Sequence, residues 1–377
     1  MASKSNICEM GCGSAFTGKL PDGCVLCDEG AKMVMLVTGK CGYSCFFCPL
    51  SEKKKNKDVV YANELFVGEG SAVDSDFAAA DVAVIKEAES IDAKGTGITG
   101  GDPMLVPERT IHFIKMLKAY FGKAHQIHMY CGPTFDLKLI DALADAGLDE
   151  IRFHPPVGIW NKMDGTEYDA LIRKSIKAKI DTGVEIPTIP GKEKEIFALG
   201  VYLEKAGVKF LNLNELEFSE TNCDALNAKG YDVKDEMSSA VKGSEETALK
   251  VVEKFIDSDL CVHYCSSSYK DAIQLRRRLA RRAKKIARSY DEISEDGTII
   301  HGVIEFGKLE SEKAVAIVEN LNISKKFWAY TPERRRIEMA EKTIRKFNKI
   351  LKKNGLETFL VEEYPTADAL EVEREPL

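Results

Sequence analysis

The chain has 377 residues, 44% of them hydrophobic and 30% charged, with 60 acidic against 53 basic side chains for a net charge of -7 at pH 7. That length suits two or three domains, or one α/β barrel with appendages, and the mix of apolar and charged residues excludes a disordered or fibrous chain. The acidic excess argues against a general nucleic-acid coat while leaving room for a local basic patch, and apolar runs such as MVMLV and AVAIV fall far short of the roughly 18 to 20 residues of a membrane span. The N-terminus shows no signal-peptide apolar region, so a cytoplasmic address is expected. In that compartment eleven cysteines are poor disulfide material and read better as ligands of metals or clusters.

In chain order, residues 1–30 are aperiodic and rich in Gly and Cys, which predicts a small loop-built element held by something other than an apolar core. It carries Cys8, Cys12, Cys24 and Cys27, a CxxxC followed eleven residues later by a CxxC. Two knuckles closing one tetrahedral site around zinc or iron is one reading, a second iron-sulfur cluster another, and unliganded thiols a third. KMVMLVTG then reads as a strand, SDFAAADVAVIKEAESID as a helix, GTGITGGDP as a strand ending in a turn, and the segment from Pro107 as a helix opened by proline. The alternation continues through strand QIHMY, helix FDLKLIDALADAG, strand EIRFHPP, helix YDALIRKSIKAKIDTG, strand VEIPTIPG, helix KEKEIFALGVYLEKAG and strand VKFLNLNEL. Strands alternating with helices mean parallel βα units. No GxGxxG follows the first strand, so the expected α/β fold is a partial (β/α)6 barrel over 31–216, with its chemistry at the C-terminal ends of the strands. A helical extension over 217–293 is expected next, holding a short strand LCVHYC and a long helix YKDAIQLRRRLARRAKKIARSY. Residues 294–377 read as a small α+β domain: strand GTIIHGVIEFG, a helix near 310–320, a long charged helix from about Pro332 to Lys353, and terminal strands ETFLVEE and ALEVERE.

Cys41, Cys45 and Cys48 fall in the loop that follows the first barrel strand. A CxxxCxxC loop lets three thiolates converge on a cubic iron-sulfur cluster and leaves one iron without a protein ligand. Structural zinc, the alternative, wants four ligands. These cysteines, Phe47 directly before the last of them, and the TGGDP turn resemble the radical S-adenosylmethionine superfamily. The resemblance covers about 31–216, and the overall run is most similar to archaeal proteins related to pyruvate formate-lyase activating enzymes. It implies that the three cysteines hold a 4Fe-4S cluster whose fourth iron chelates the amino and carboxylate groups of S-adenosylmethionine. It also implies reductive cleavage of the sulfonium to methionine and a 5′-deoxyadenosyl radical that abstracts hydrogen from a substrate, with an electron donor such as ferredoxin or flavodoxin. Where the family usually has Gly-Gly-Glu-Pro this chain has Gly100, Gly101, Asp102 and Pro103; a backbone contact to the cofactor tolerates the shorter carboxylate, and the glycines suit a close approach to a ligand. VEIPTIPG resembles the fifth-strand segment that lines the adenosine pocket, making Glu185, Ile189 and Pro190 candidates. Asn212, Asn214 and Glu215 on the last barrel strand lie near the pocket mouth or floor. Glu185 reads otherwise as a solvated strand-end charge, and the LNLNELE polar residues as partners of backbone groups.

Cys261 and Cys265 bracket His263 on one face of a strand, as ligands, as a hydrogen-atom donor or as packing. Cys131 at a strand end and Cys223 in a loop are further candidates. On the basic helix Leu275, Leu279, Ala283 and Ile286 form an apolar stripe, and Arg277, Arg281, Lys284 and Arg288 another face, with Arg276, Arg278, Arg282 and Lys285 adding charge. Such a face is solvated, docks an acidic protein surface, or recognises the phosphates of RNA. The expected function is a radical S-adenosylmethionine enzyme acting on RNA, a partner protein or a small metabolite. The alternative is a non-catalytic iron-sulfur or zinc protein in electron transfer or nucleic-acid binding.

Overall fold

The computed structural model describes residues 7–236 and 238–377, so the first six residues of the expected Cys-rich element lie outside the described ones. The chain divides into two compact units, Met1–Glu89 with Ala93–Leu275, and Ser90–Asp92 with Arg276–Leu377. Among the described residues no helix is long and apolar enough to cross a membrane.

The first unit opens with β1 (Cys8–Glu9), β2 (Ala15–Phe16), helix α1 (Asp22–Asp28) and β3 (Lys32–Leu36). A hairpin follows, β4 (Val59–Ala62) and β5 (Leu65–Glu69), then α2 (Gly70–Ser75) and α3 (Phe77–Ser90). From there strand and helix alternate: β6 (Gly95–Thr99), α4 (Pro107–Phe121), β7 (Gln126–Cys131), α5 (Leu137–Ala146), β8 (Glu150–Phe153), α6 (Glu167–Lys177), β9 (Asp181–Thr188), α7 (Glu193–Ala206) and β10 (Phe210–Glu215). A short helix α8 (Cys223–Asn227), a ribbon of β11 (Val233–Asp235) and β12 (Ser238–Val241), and helix α9 (Ser244–Lys254) lead to β13 (Cys261–Cys265).

The outcome is one eleven-stranded mixed sheet in the order β1-β2-β13-β10-β9-β8-β7-β6-β3-β4-β5. The six strands of the sequence repeat are neighbours in chain order and all parallel. LCVHYC, expected in the extension after the repeat, pairs in parallel with β10 from Phe210↔Cys261 to Asn214↔Cys265 and adds a seventh parallel strand. The edge beyond it is closed by the N-terminal segment, with β2 antiparallel to β13 and β1 to β2. Of the expected Cys-rich element, residues 7–30 are therefore partly strand and helix rather than loop alone. The β4–β5 hairpin was not read from the sequence. Its turn is carried by Asn63 at φ 49, whose side chain also accepts from the Val34 amide at 3.0 Å and donates to Glu87 at 2.8 Å.

The second unit holds α11 (Arg276–Ile286), which follows the three-residue helix α10 (Ser267–Tyr269) of the first unit, then β14 (Glu292–Ile293), β15 (Ile299–Glu305), α12 (Ser311–Glu319), β16 (Trp328–Thr331), β17 (Arg336–Met339), α13 (Glu341–Lys353), β18 (Glu357–Glu363) and β19 (Glu371–Pro376). Its antiparallel sheet runs β16-β17-β15-β18-β19, with β14 beside β15. The long charged helix expected from Pro332 starts only at Glu341. Arg336–Met339 is a strand because Ile337 and Met339 alternate into a core with Trp328, while Arg336 and Glu338 bury each other on the opposite face at 2.6 Å.

Candidate functional site

The chain leaves β3 into a loop that carries Cys41, Cys45 and Cys48 and rejoins the sheet at β4. Its base is closed by backbone bonds from Gly39 to the Lys57 carbonyl (2.8 Å) and from Asn56 to the Gly39 carbonyl (2.9 Å). Beneath it the buried Arg109 of α4 donates to the Val37 carbonyl at 2.8 Å, to Asp58 at 2.7 Å and to Asp74 at 2.7 Å. The Arg109 bond, helped by Lys40 and Thr38, holds the Asp58 carboxyl at about 2 against the opposing effect of its partial burial. From the segment after β10, Asn222 donates its amide to the Phe47 carbonyl and Thr221 its hydroxyl to the Cys48 carbonyl, both at 3.2 Å. Arg109, Asp58, Thr221 and Asn222 were not singled out from sequence, because a ligand motif names the donors and not the polar side chains that hold their loop.

The Gly100–Pro103 turn is bonded to that same loop: the Gly101 amide donates to Thr38 and the Asp102 amide to Lys40, each at 2.8 Å. A Cβ on Gly100 would lie 2.3 Å from the Thr38 carbonyl oxygen, and one on Gly101 2.0 Å from that of Lys40. Both glycines are thus required by backbone-to-backbone contact between two loops, a further reason beside the close ligand approach expected from sequence. Asp102 is fully buried, and its carboxylate accepts from the amides of Met104 (3.1 Å), Gly132 (3.1 Å) and Thr134 (2.9 Å) and from the Thr134 hydroxyl (2.6 Å). It fastens the turn to the loop after β7. Pro103 is buried as well, and its carbonyl accepts from the Thr110 hydroxyl at 2.8 Å.

All three cysteines, Phe47, Gly100 and Gly101 border one cavity of about 650 Å³, shared with Cys131, His154, Glu185, Asn214, Glu215 and Lys270. Deeper, on the same lining, stand Lys32, Tyr130 and Arg152. Burial foremost, then the neighbouring charges of Cys41 and Cys48, push the Cys45 thiol up to about 11. Three thiolates in this loop therefore need a cation among them. Glu185 is no solvated strand-end charge: it accepts from Arg152 (2.8 Å), Asn212 (3.0 Å) and Asn214 (2.7 Å). Burial alone would raise its carboxyl, but Arg152 and the two asparagine amides bring it to about 2. Its own backbone carbonyl fixes His154 Nδ1 at 2.8 Å, and that imidazole meets Phe47 at 5.7 Å. Asn212 and Ile189 are buried without bordering the cavity, and Glu215 is tied to the amide and hydroxyl of Ser267 at 2.8 and 2.9 Å. A π-helical segment, Lys270–Leu275, follows β13 and turns Lys270 into the cavity, where it donates to Glu217 at 3.1 Å.

Of the N-terminal cysteines, Cys8 and Cys12 are exposed, Cys27 is half-buried, and Cys24 is buried with its sulfur accepting from Arg152 (3.4 Å) and Asn212 (3.3 Å). Tetrahedral zinc at about 2.3 Å from each sulfur would draw those sulfurs to about 3.8 Å of one another. The trio of His, Cys, Asp or Glu ligand atoms that lies within 4.8 Å among the described residues is instead His301, Glu338 and Glu363 of the second unit. Among the described residues no three of the four N-terminal sulfurs lie that close, so the thiols are not drawn to one tetrahedral point, a spacing that a polynuclear cluster would not require. Arg336 lies at 2.6 and 2.9 Å from Glu338 and Glu363, so the second-unit trio already has its counter-charge. Cys223 is half-buried in α8. Part of the basic run is engaged inside the second unit: Arg276 pairs with Asp296 at 3.2 Å, Arg281 with Asp92 at 2.8 Å, and Arg288 with Asp291 at 2.9 Å and with Glu338.

Residues 297–377 match a family described as a domain of unknown function (DUF8061). Over 95% of its length the chain is 41% identical to a Methanocaldococcus jannaschii protein named "putative glycyl-radical enzyme activating enzyme", of which the match covers 93%. Identity of that extent spans the cysteine loop, the sheet and the C-terminal unit alike. The chain belongs to the radical S-adenosylmethionine superfamily, among the archaeal proteins related to pyruvate formate-lyase activating enzymes.

Proposed function

We propose that this chain is a radical S-adenosylmethionine enzyme that abstracts hydrogen from a partner protein, leaving a glycyl radical on it. The observation that carries the reading is the common cavity of Cys41, Cys45, Cys48, Gly100 and Gly101, with Glu185 and Asn214 across from them. The residues fit the group: three thiols in one loop crowd one another's charge, and the cavity's size is that of a cofactor pocket. Cys41, Cys45 and Cys48 would hold a 4Fe-4S cluster, and the Gly100–Pro103 backbone would seat the methionine end of S-adenosylmethionine. When bound, the pair supplies reductive sulfonium cleavage to methionine and a hydrogen-abstracting 5′-deoxyadenosyl radical.

The chain's own residues orient and shield. Phe47 and His154 wall the pocket beside the last cysteine, Asn214 and the Glu185 carboxylate, ionised at neutral pH, offer fixed hydrogen-bonding groups, Asn212 holds Glu185 from behind, and Ile189 is buried directly after the strand that carries Glu185. Sheet residues from β3 to β10 line one concave space, which supports a partial barrel over 31–216; a metal-binding element over 1–30 before it, an extension over 217–293 and a small α+β domain over 294–377 complete the proposed organisation, although the compact units divide earlier, after Leu275. The name of the M. jannaschii relative favours a protein substrate over RNA, as does the engagement of Arg276, Arg281 and Arg288 in ion pairs. A low-potential donor such as ferredoxin or flavodoxin would supply the electron, in the cytoplasm. Anaerobic reconstitution with iron and sulfide, then dithionite and S-adenosylmethionine, is the test. Release of 5′-deoxyadenosine by the wild type and none by Cys45→Ala is expected; no release by the reconstituted wild type refutes the reading.

A further inference from the structure

β13 brings soft ligands to the inner face of the sheet that the reading above leaves unused. Cys261, His263 and Cys265 are register partners of Phe210, Asn212 and Asn214, and both asparagine side chains on that face meet Glu185. His263 is 2% exposed, yet neither of its ring nitrogens has a hydrogen-bond partner. A neutral imidazole carries one donor and one acceptor, and a buried pair left dry points to a group that completes it. Phe16 stands edge-on to the ring at 6.3 Å and covers its side toward β2. Next to it Asn212 Oδ1 is also unpartnered, while Asn212 Nδ2 donates to the Cys24 sulfur at 3.3 Å.

Helix α1 supplies thiols to the same place. Cys24 and Cys27 are three residues apart and so share a helix face. The helix is seated directly on the inner-face side chains, since a Cβ on Gly23 would stand 2.6 Å from His128 Nδ1 and 2.7 Å from the Arg152 guanidinium. Asn212, which donates to the Cys24 sulfur, is the register partner of His263, and Asn214, the partner of Cys265, follows two residues along the same face; the electrostatics agree, with Cys24 and Cys27 both acting on Cys265 and Cys24 and Cys8 on Cys261. Four residues along a strand span about 13 Å at 3.3 Å per residue, too far for Cys261 and Cys265 to ligate one small cluster together. Cys265 is the one that shares both helix thiols.

We propose that Cys24, Cys27, Cys265 and His263 hold a second iron-sulfur cluster, in place of the site of four N-terminal thiols that the CxxxC and CxxC spacings suggest. No three of these ligand atoms lie within 4.8 Å of one another, which is too open for a single tetrahedral ion and leaves a polynuclear cluster. Imidazole can stand in for thiolate at an iron-sulfur cluster, as where two histidines replace two cysteines on one iron. The site adjoins the cavity, because Arg152, which donates to the Cys24 sulfur at 3.4 Å, also lines it.

The proposal does not depend on the first cluster, so it is tested without it. In a Cys41→Ala/Cys45→Ala/Cys48→Ala background, anaerobic reconstitution is expected to leave roughly two to four iron atoms per chain with matching sulfide. Adding Cys24→Ser/Cys27→Ser, or His263→Ala/Cys265→Ser, should bring iron close to zero, and adding Cys8→Ser/Cys12→Ser should not change it. Iron loss with the Cys8/Cys12 pair, or retention without His263 and Cys265, overturns the assignment. Buried substitutions can unfold a chain, so the wild type is read as well. Reduced and prepared without S-adenosylmethionine, it should show an imidazole nitrogen coupled to a cluster spin in pulsed EPR; cluster signals with no such nitrogen overturn the proposal.

Discussion

Glu185 concentrates the residue-scale physics of the site. A carboxylate this deep is tolerable only while Arg152, Asn212 and Asn214 remain its partners, and breaking a buried pair leaves an uncompensated charge. Glu185→Gln should therefore cost about 3 kcal/mol of stability at pH 7, read by urea unfolding. The pH dependence has a fixed sign. A carboxyl held at about 2 against an ordinary 4.5 contributes fully above pH 4.5 and loses that contribution as the pH falls toward 2. The gap between wild type and variant should shrink over that window, and a gap constant from pH 7 to 3 would refute the role given to Arg152. Glu185 was marked in the sequence by the resemblance of VEIPTIPG, and Asn214 by alternation along the last barrel strand. Arg152, Lys32 and His128 were not, because EIRF, KMVML and QIHMY read as apolar strands, and a charge inside one is explained only by what neighbouring strands bring to it.

At the scale of elements, the cysteine loop and the glycine turn behave as one piece. Gly101→Ala forces a methyl group to within 2.0 Å of the Lys40 carbonyl, so the two loops must part. That variant is expected to fold yet retain less than about a tenth of the wild-type iron at the first site after reconstitution and desalting, in line with the 10- to 100-fold losses seen when supporting contacts of a metal site are removed. Asn222→Ala is milder. It removes the amide donor to Phe47 and should cost about 1 to 3 kcal/mol locally, seen as faster hydrogen exchange in the loop with little change in the global unfolding midpoint. The βα alternation, all six repeat strands and the three-cysteine loop followed from periodicity and spacing, since each is a local pattern. The edges did not: β1, β2 and β13 come together from opposite ends of the first unit, and the β4–β5 hairpin is too short for periodicity to mark. The stretch Arg336–Met339 misled for a related reason, as charge density in RRRIEM suits a helix until the pairing partners Glu338 and Glu363 are known.

For the whole molecule, the two units each contain one of the chain's two tryptophans, and both indoles are buried. Trp160 bonds the Pro155 carbonyl at 2.8 Å in the first unit, and Trp328 bonds that of Ile323 at 3.1 Å inside the second-unit core. Metal centres that bind only the folded first unit stabilise it by mass action and should leave the second untouched. Trp328→Phe then reports the first unit alone, and Trp160→Phe the second. Stripping iron with a chelator should lower the fluorescence midpoint of Trp160 by roughly 10 °C, given that 1 kcal/mol moves a domain of this size by about 2 to 4 °C, while the Trp328 midpoint stays fixed. If both midpoints fall together, the units unfold as one cooperative body and the division at Leu275 has no thermodynamic meaning. If neither moves, the thiols of Cys41, Cys45 and Cys48 were not holding metal in the folded chain, and the enzyme reading loses its physical basis along with the stability argument.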